Sequence, residues 1–139
     1  MRKKTDFIVV HCAATPPHMD IGAYEITQWH KDRGFRTIGY QDVVRRDGQV
    51  EQGRHSNEVG AHVRGYNARS VGICLVGGVD EQLKPQNNFT EQQFKSLKRL
   101  LRFYRVLFPD AEVLGHRDLA PYKACPSFDV RDWLKNNPL

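Results

Sequence analysis

The apolar positions fall into short β-like runs separated by stretches of helical spacing. Phe7-Ile8-Val9-Val10-His11 is a β-rich run without alternation, the pattern of a strand buried on both faces. Thr15-Pro16-Pro17 ends it. From about Asp20 to Arg33 the spacing is helical, with Asp20 as N-cap, Ile26 and Trp29 turned inward and Gly34 as the stop. Gly39 to Arg46 reads as a strand, Asp47-Gly48 as a hairpin turn, and Gln49 to Gln52 as the returning strand. Ser70 to Val76 is a second buried strand. Thr90 and Gln93 form a capping-box pattern. Phe94, Leu97, Leu100, Leu101, Tyr104 and Leu107 then follow at helical spacing until Pro109. Glu112 to Leu114 is a short strand running into His116, and a last helix begins near Asp129 and carries Trp133 and Leu134. The order β-α-β-β-β-α-β-α predicts an α/β fold, a central mixed β-sheet flanked by helices.

There is no internal repeat or low-complexity segment. Gly77 to Asn88, with paired glycines and Pro85, reads as a surface loop rather than a linker, so the 139 residues (1–139) are expected to form a single domain. Hydrophobic residues make up 40% and charged residues 27%, which excludes wholesale disorder. No apolar run approaches the ~20 residues that span a bilayer. The apolar stretch after the basic start is only Phe7 to Val10, too short for a signal-peptide core, so synthesis in the cytoplasm without a signal peptide is expected. The net charge of +5 suggests acidic partners: nucleic acid, anionic lipid or an anionic wall polymer. Three cysteines, Cys12, Cys74 and Cys125, are not a disulfide framework and fit a reducing compartment.

Two of the six histidines stand at strand ends, His11 and His116. Strand ends present rigid side chains to a cleft. Cys125 follows in a loop between Pro121 and Pro126. Two imidazoles and a thiolate would make a zinc shell with one open position. By spacing alone the alternative stands beside it: satisfied core histidines and a small buried cysteine. No local metal motif is present, so any ligands must converge from distant segments. Cys12 and Cys74 read as packing groups, His30 as structural, and Glu51 and Glu58 as general-base candidates only by elimination.

The segments Val9-Val10-His11-Cys12-Ala13-Ala14-Thr15, Gln28-Trp29-His30-Lys31, Gly39-Tyr40, Arg46-Asp47-Gly48, Val59-Gly60-Ala61-His62, Gly65-Tyr66-Asn67, Gly72-Ile73-Cys74-Leu75-Val76-Gly77-Gly78 and Lys123-Ala124-Cys125-Pro126-Ser127-Phe128-Asp129 occur in this order. Together they resemble the small lysozyme-amidases of T-odd bacteriophages. These are zinc-dependent N-acetylmuramoyl-L-alanine amidases sharing the fold of animal peptidoglycan recognition proteins. The resemblance covers a core of about residues 6–134. It implies one zinc held by His11, His116 and Cys125. It places Tyr40 beside the zinc's water and makes Lys123 a stabiliser of the developing oxyanion. His62 and Asn67 match residues near the substrate groove. The implied partner is peptidoglycan, with no nucleic acid, no stable membrane association and a monomeric state. The implied place of action is the cell wall in the periplasm, after release by another protein.

Two departures stand out. The family's Tyr-His-Phe run is here Tyr40-Gln41-Asp42, and strand alternation puts Asp42 on Tyr40's side, near the cleft, with Arg45 or Arg46 as partner. Pro121-Tyr122-Lys123 holds an extra residue, read as a loop insertion that leaves Lys123 and Cys125 in register. Relatives of this fold that only bind peptidoglycan, or that also contact the phage RNA polymerase, define the competing functions; retention of His11, His116 and Cys125 argues for catalysis.

Overall fold

The computed structural model describes all 139 residues. Five strands form one sheet in the order β3-β2-β4-β1-β5: β1 is Phe7–Cys12, β2 Asp42–Val44, β3 Val50–Gln52, β4 Ser70–Leu75 and β5 Glu112–Gly115. β1 is paired in parallel with both β4 and β5, β2 is parallel to β4, and β2–β3 is an antiparallel hairpin. The sheet is mixed, as the element order predicts. The helices are α1 (Ala23–Asp32), α2 (Glu91–Leu107), the single turn α3 (His116–Leu119) and α4 (Val130–Asn136). None is long and apolar enough to cross a membrane.

The two faces of the sheet have different work. Ile8 and Val10 of β1, Val71, Ile73 and Leu75 of β4, and Val44 of β2 pack with Leu97, Leu101 and Tyr104 of α2 and with Phe128 and Val130, forming the main core. The alternate residues face the other way. Val43 and Cys74 meet Ile26 of α1 and Ile38, and Val9 meets Val63 and Leu114. His11 shares this second face with Val9.

The capping box of α2 is formed: the Thr90 hydroxyl accepts from Gln93 N at 3.1 Å and the Gln93 side chain accepts from Thr90 N at 3.0 Å. Leu107, expected on the buried face, is exposed at the C-terminal end of α2. α1 starts later than the sequence suggests, at Ala23. Gly22 is its N-cap, and Glu51 Oε1 accepts from Ala23 N at 2.8 Å. Asp20 is not the cap but pairs with Arg45 at 3.5 Å. Trp29 is turned outward, and His30 takes the inward position at that turn. Gly34 stops the helix with a φ of 93°, a conformation glycine adopts at no steric cost.

β2 is shorter than the predicted Gly39–Arg46, for an identifiable reason. The buried side chain of Gln41 takes a backbone group's place beside β4: its Oε1 accepts from Gly72 N at 2.7 Å and its Nε2 donates to Glu58 O at 3.1 Å. Regular pleating begins only at Asp42, so Tyr40 and Asp42 do not share a face. Tyr40 packs on the α1 side. Asp42 lies buried on the α2 side, where the Tyr104 hydroxyl donates to its carboxylate. The expected cleft position with an arginine partner is therefore incorrect. Arg45 pairs with Asp20 and Glu51, and Arg46 donates to Val76 O, Asn88 O and Gln93.

Candidate metal centre

Strand register builds the first half of the site. Val10 of β1 lies opposite Gly115 of β5, so His11 and His116 follow side by side, with ring centroids 4.6 Å apart. The second half comes from the loop before α4. Arg117 N donates to Cys125 O at 2.9 Å, and Ser127 Oγ donates to Gly78 O at 2.7 Å, tying the loop to α3 and to the turn after β4. Cys125 Sγ then lies 3.9 Å from His11 Nδ1 and accepts from Cys12 N at 3.2 Å.

The donor atoms of His11, His116 and Cys125 all lie within 4.8 Å of one another. Zinc–nitrogen bonds of about 2.0 Å and zinc–sulfur bonds of about 2.3 Å set at tetrahedral angles require donor separations of roughly 3.3–3.6 Å. The 3.9 Å between His11 Nδ1 and Cys125 Sγ is close to that span. Burial, then the neighbouring His62 and His116, holds the His11 pKa well below its ordinary value. Burial, then Lys123, lowers that of His116. Both rings are thus kept neutral, the form that binds metal. Contact with the Cys12 thiol, then burial, raises the pKa of the Cys125 thiol, with the Cys12 backbone N–H opposing. A bound cation reverses that balance, because a coordinating thiol is deprotonated outright.

The other expected site residues are placed as follows. The Tyr40 ring centroid is 5.1 Å from that of His11. Burial, then the nearby cysteines, pushes the Tyr40 phenol pKa well up, so it remains an O–H donor at neutral pH. Lys123 is exposed on the rim loop, with Nζ 5.5 Å above the Tyr122 ring. Asn67 Oδ1 accepts from the backbone N–H groups of His62 and Val63 at 2.8 and 2.9 Å, bracing the segment that carries His62. His62 Nδ1 is 2.8 Å from His11 Nε2, a contact the sequence does not announce, since 51 positions separate the two. Burial, then His116 and Arg2, lowers the His62 pKa to about 3. His30 is structural, its Nδ1 accepting from Gly39 N at 2.9 Å. Glu51 and Glu58 are committed elsewhere, Glu51 to α1 and Arg45, Glu58 to Arg36 and His55 N. Cys12 and Cys74 are buried, as expected.

A cluster of neutral imidazoles and a thiol at the strand ends of a mixed sheet, with a phenol donor alongside, suits a metal-assisted hydrolase. Residues 1–128 match the family described as N-acetylmuramoyl-L-alanine amidase. The endolysin of Enterobacteria phage K11 is 49% identical over 138 residues, 99% of this chain and 91% of the relative. Among solved structures, the N-acetylmuramoyl-L-alanine amidase LysC from Clostridium intestinale URNW superimposes with a TM-score of 0.82 at 30% identity, over 96% of this chain and 85% of that one. A complex of the ectodomains of peptidoglycan recognition proteins LCa and LCx with tracheal cytotoxin does so with a TM-score of 0.74 at 27% identity, over 96% of this chain and 82% of that one. The chain belongs to the N-acetylmuramoyl-L-alanine amidase family and is an enzyme of that activity. The fold is that of the type-2 amidases and peptidoglycan recognition proteins, as the resemblance implied.

Proposed function

We propose that the chain is a zinc-dependent endolysin that cuts the amide bond between N-acetylmuramic acid and L-alanine of peptidoglycan. The observation that carries the metal dependence is the convergence of His11, His116 and Cys125 donor atoms within 4.8 Å. When bound there, zinc supplies a Lewis acid and lowers the pKa of a water to about 7. The chain's own groups supply the rest. Tyr40, kept protonated by burial, donates a hydrogen bond toward the reacting carbonyl or the attacking water. Lys123 brings an ammonium from the rim loop to the oxyanion as charge develops. Asn67 serves substrate indirectly, by bracing the backbone of His62 and Val63, and His62 lies against His11. The partner is a muramyl peptide, the working state a monomer, and the place of action the wall after release from the cytoplasm. Similarity to phage endolysins and to a fold neighbour solved with tracheal cytotoxin supports this reading.

The test is digestion of purified peptidoglycan. New free amino groups on L-alanine without new reducing ends are expected; reducing ends would mean a glycosidase, which typically uses paired carboxylates. Chelation should stop turbidity loss and added zinc restore it.

A further inference from the structure

We propose that His62 is a positioning residue that fixes the tautomer of His11, keeping its Nδ1 unprotonated and ready for the cation. The proposal rests on the metal reading above. His11 turns its Nδ1 toward Cys125 Sγ, at 3.9 Å, and its Nε2 toward His62 Nδ1, at 2.8 Å. A hydrogen bond between two neutral imidazoles needs one donor and one acceptor. If His62 Nδ1 donated, His11 would carry its proton on Nδ1 and present no lone pair to a metal.

The far end of the chain decides between the two. His62 Nε2 faces Ser70 Oγ at 3.4 Å, and Ser70 Oγ lies 2.8 Å from Tyr66 O. A carbonyl oxygen only accepts, so the Ser70 hydroxyl spends its one proton on Tyr66. The hydroxyl oxygen is then left to accept, and the proton of neutral His62 belongs on Nε2. His62 Nδ1 therefore accepts, and His11 Nε2 donates. The whole chain, from His11 through His62 and Ser70 to the Tyr66 carbonyl, has a single polarity set by one backbone group.

The position of the His62 ring is built into the fold. A Cβ on Gly72 of β4 would lie 2.6 Å from the ring, and one on Gly60 2.7 Å from it. Both glycines leave the room that the imidazole fills. Asn67 fixes the backbone of His62 and Val63. Partners of metal-bound histidines are commonly worth 10–100-fold in metal affinity.

The test uses two readouts. Long-range proton–nitrogen NMR of the metal-free protein reports the tautomer of His11, and competition with a chromophoric chelator reports zinc affinity. The wild type should show His11 protonated at Nε2 alone. His62→Ala should mix the two tautomers and weaken zinc about 10–100-fold. Ser70→Ala, a milder change, should shift both in the same direction by less. His62→Gln, whose amide oxygen can accept from His11, should recover part of the affinity. A wild-type His11 protonated at Nδ1 overturns the proposal without any variant. So does wild-type zinc affinity in His62→Ala while His11→Ala loses zinc, and in that case the ligand assignment stands. A wild type that binds no zinc overturns both.

Discussion

Val10 of β1 lies directly opposite Gly115 of β5, and this single register point sets the two histidines of the candidate metal centre side by side. The residue that follows each is a histidine, and the two rings sit 4.6 Å apart. The two imidazoles proposed as ligands are therefore set in place by strand register, His11 within β1 and His116 directly after β5, the arrangement that makes a site rigid. The thiol is held differently, by a loop whose proline packs on Gly115 itself.

The ligand set has a direct check. Cys125→Ser should bring zinc content, measured by elemental analysis after gel filtration, well below one per chain and remove activity. Cys12→Ala should keep its zinc, because the Cys12 backbone N–H that donates to Cys125 Sγ stays in place when the thiol is removed. Full zinc in Cys125→Ser would remove that residue from the set.

Gly115 ties the two halves together. A Cβ there would lie 2.9 Å from Pro126 Cδ and 3.2 Å from Val130 Cγ2. Gly115→Ala must push Pro126, which is bonded to Cys125, away from the strand. Overpacking of this kind costs about 1–3 kcal/mol. Denaturant melts should show that loss, and chelator competition a weaker zinc site. Unchanged zinc affinity would mean that the loop absorbs the shift without moving Cys125.

Tyr40 and Lys123 should be dispensable for zinc and needed for turnover. Loss of one oxyanion donor costs ~10²–10³ in rate. Lys123→Ala is expected to lower kcat by that order with zinc content intact. Tyr40→Phe should act in the same direction and leave the packing against His11 in place. Near wild-type turnover in either variant would remove that residue from the mechanism.

The parts of this design legible in the sequence are those with local causes. The β1 run, the Thr90–Gln93 cap and the stop at Gly34 each depend on a few adjacent residues, and each is formed. Of the site, the residue types and their places at strand ends were readable, and the resemblance supplied the grouping of His11, His116 and Cys125. Long-range substitutions of one hydrogen-bonding group for another were not. Gln41 stands in for backbone beside Gly72 and so breaks the alternation that would put Tyr40 and Asp42 on one face. His62 meets His11 across 51 positions, in a slot left by Gly60 and Gly72. Neither contact leaves a periodic trace.

The last prediction follows from that broken alternation. Asp42 is buried on the α2 side, accepts from the Tyr104 hydroxyl, and borders a small cavity with Gln41, Gln52, Arg54 and Ser56. Burial raises its pKa above the ordinary carboxylate value, and the Tyr104 hydrogen bond only partly opposes this. As pH rises from the acid side, the unfolded chain releases this proton first. The contribution of Asp42 to stability is thus fully present below the ordinary carboxylate range and is lost as pH rises through the raised folded value. Asp42→Asn keeps an acceptor for Tyr104 and removes the ionisation. It should therefore be more stable than wild type at neutral pH, with the advantage shrinking as pH falls through the carboxylate range. Asp42→Phe, which restores the family's aromatic residue, strands the Tyr104 hydroxyl without an acceptor, at a cost of about 1–3 kcal/mol. Asp42→Phe combined with Tyr104→Phe should recover part of that loss, since both polar partners are then gone. Thermal melts of the variants from pH 3 to pH 8 separate the effects. An Asp42→Asn advantage that stays constant with pH, or that grows toward acid, would show that the carboxylate is stabilised in the fold instead of strained by it.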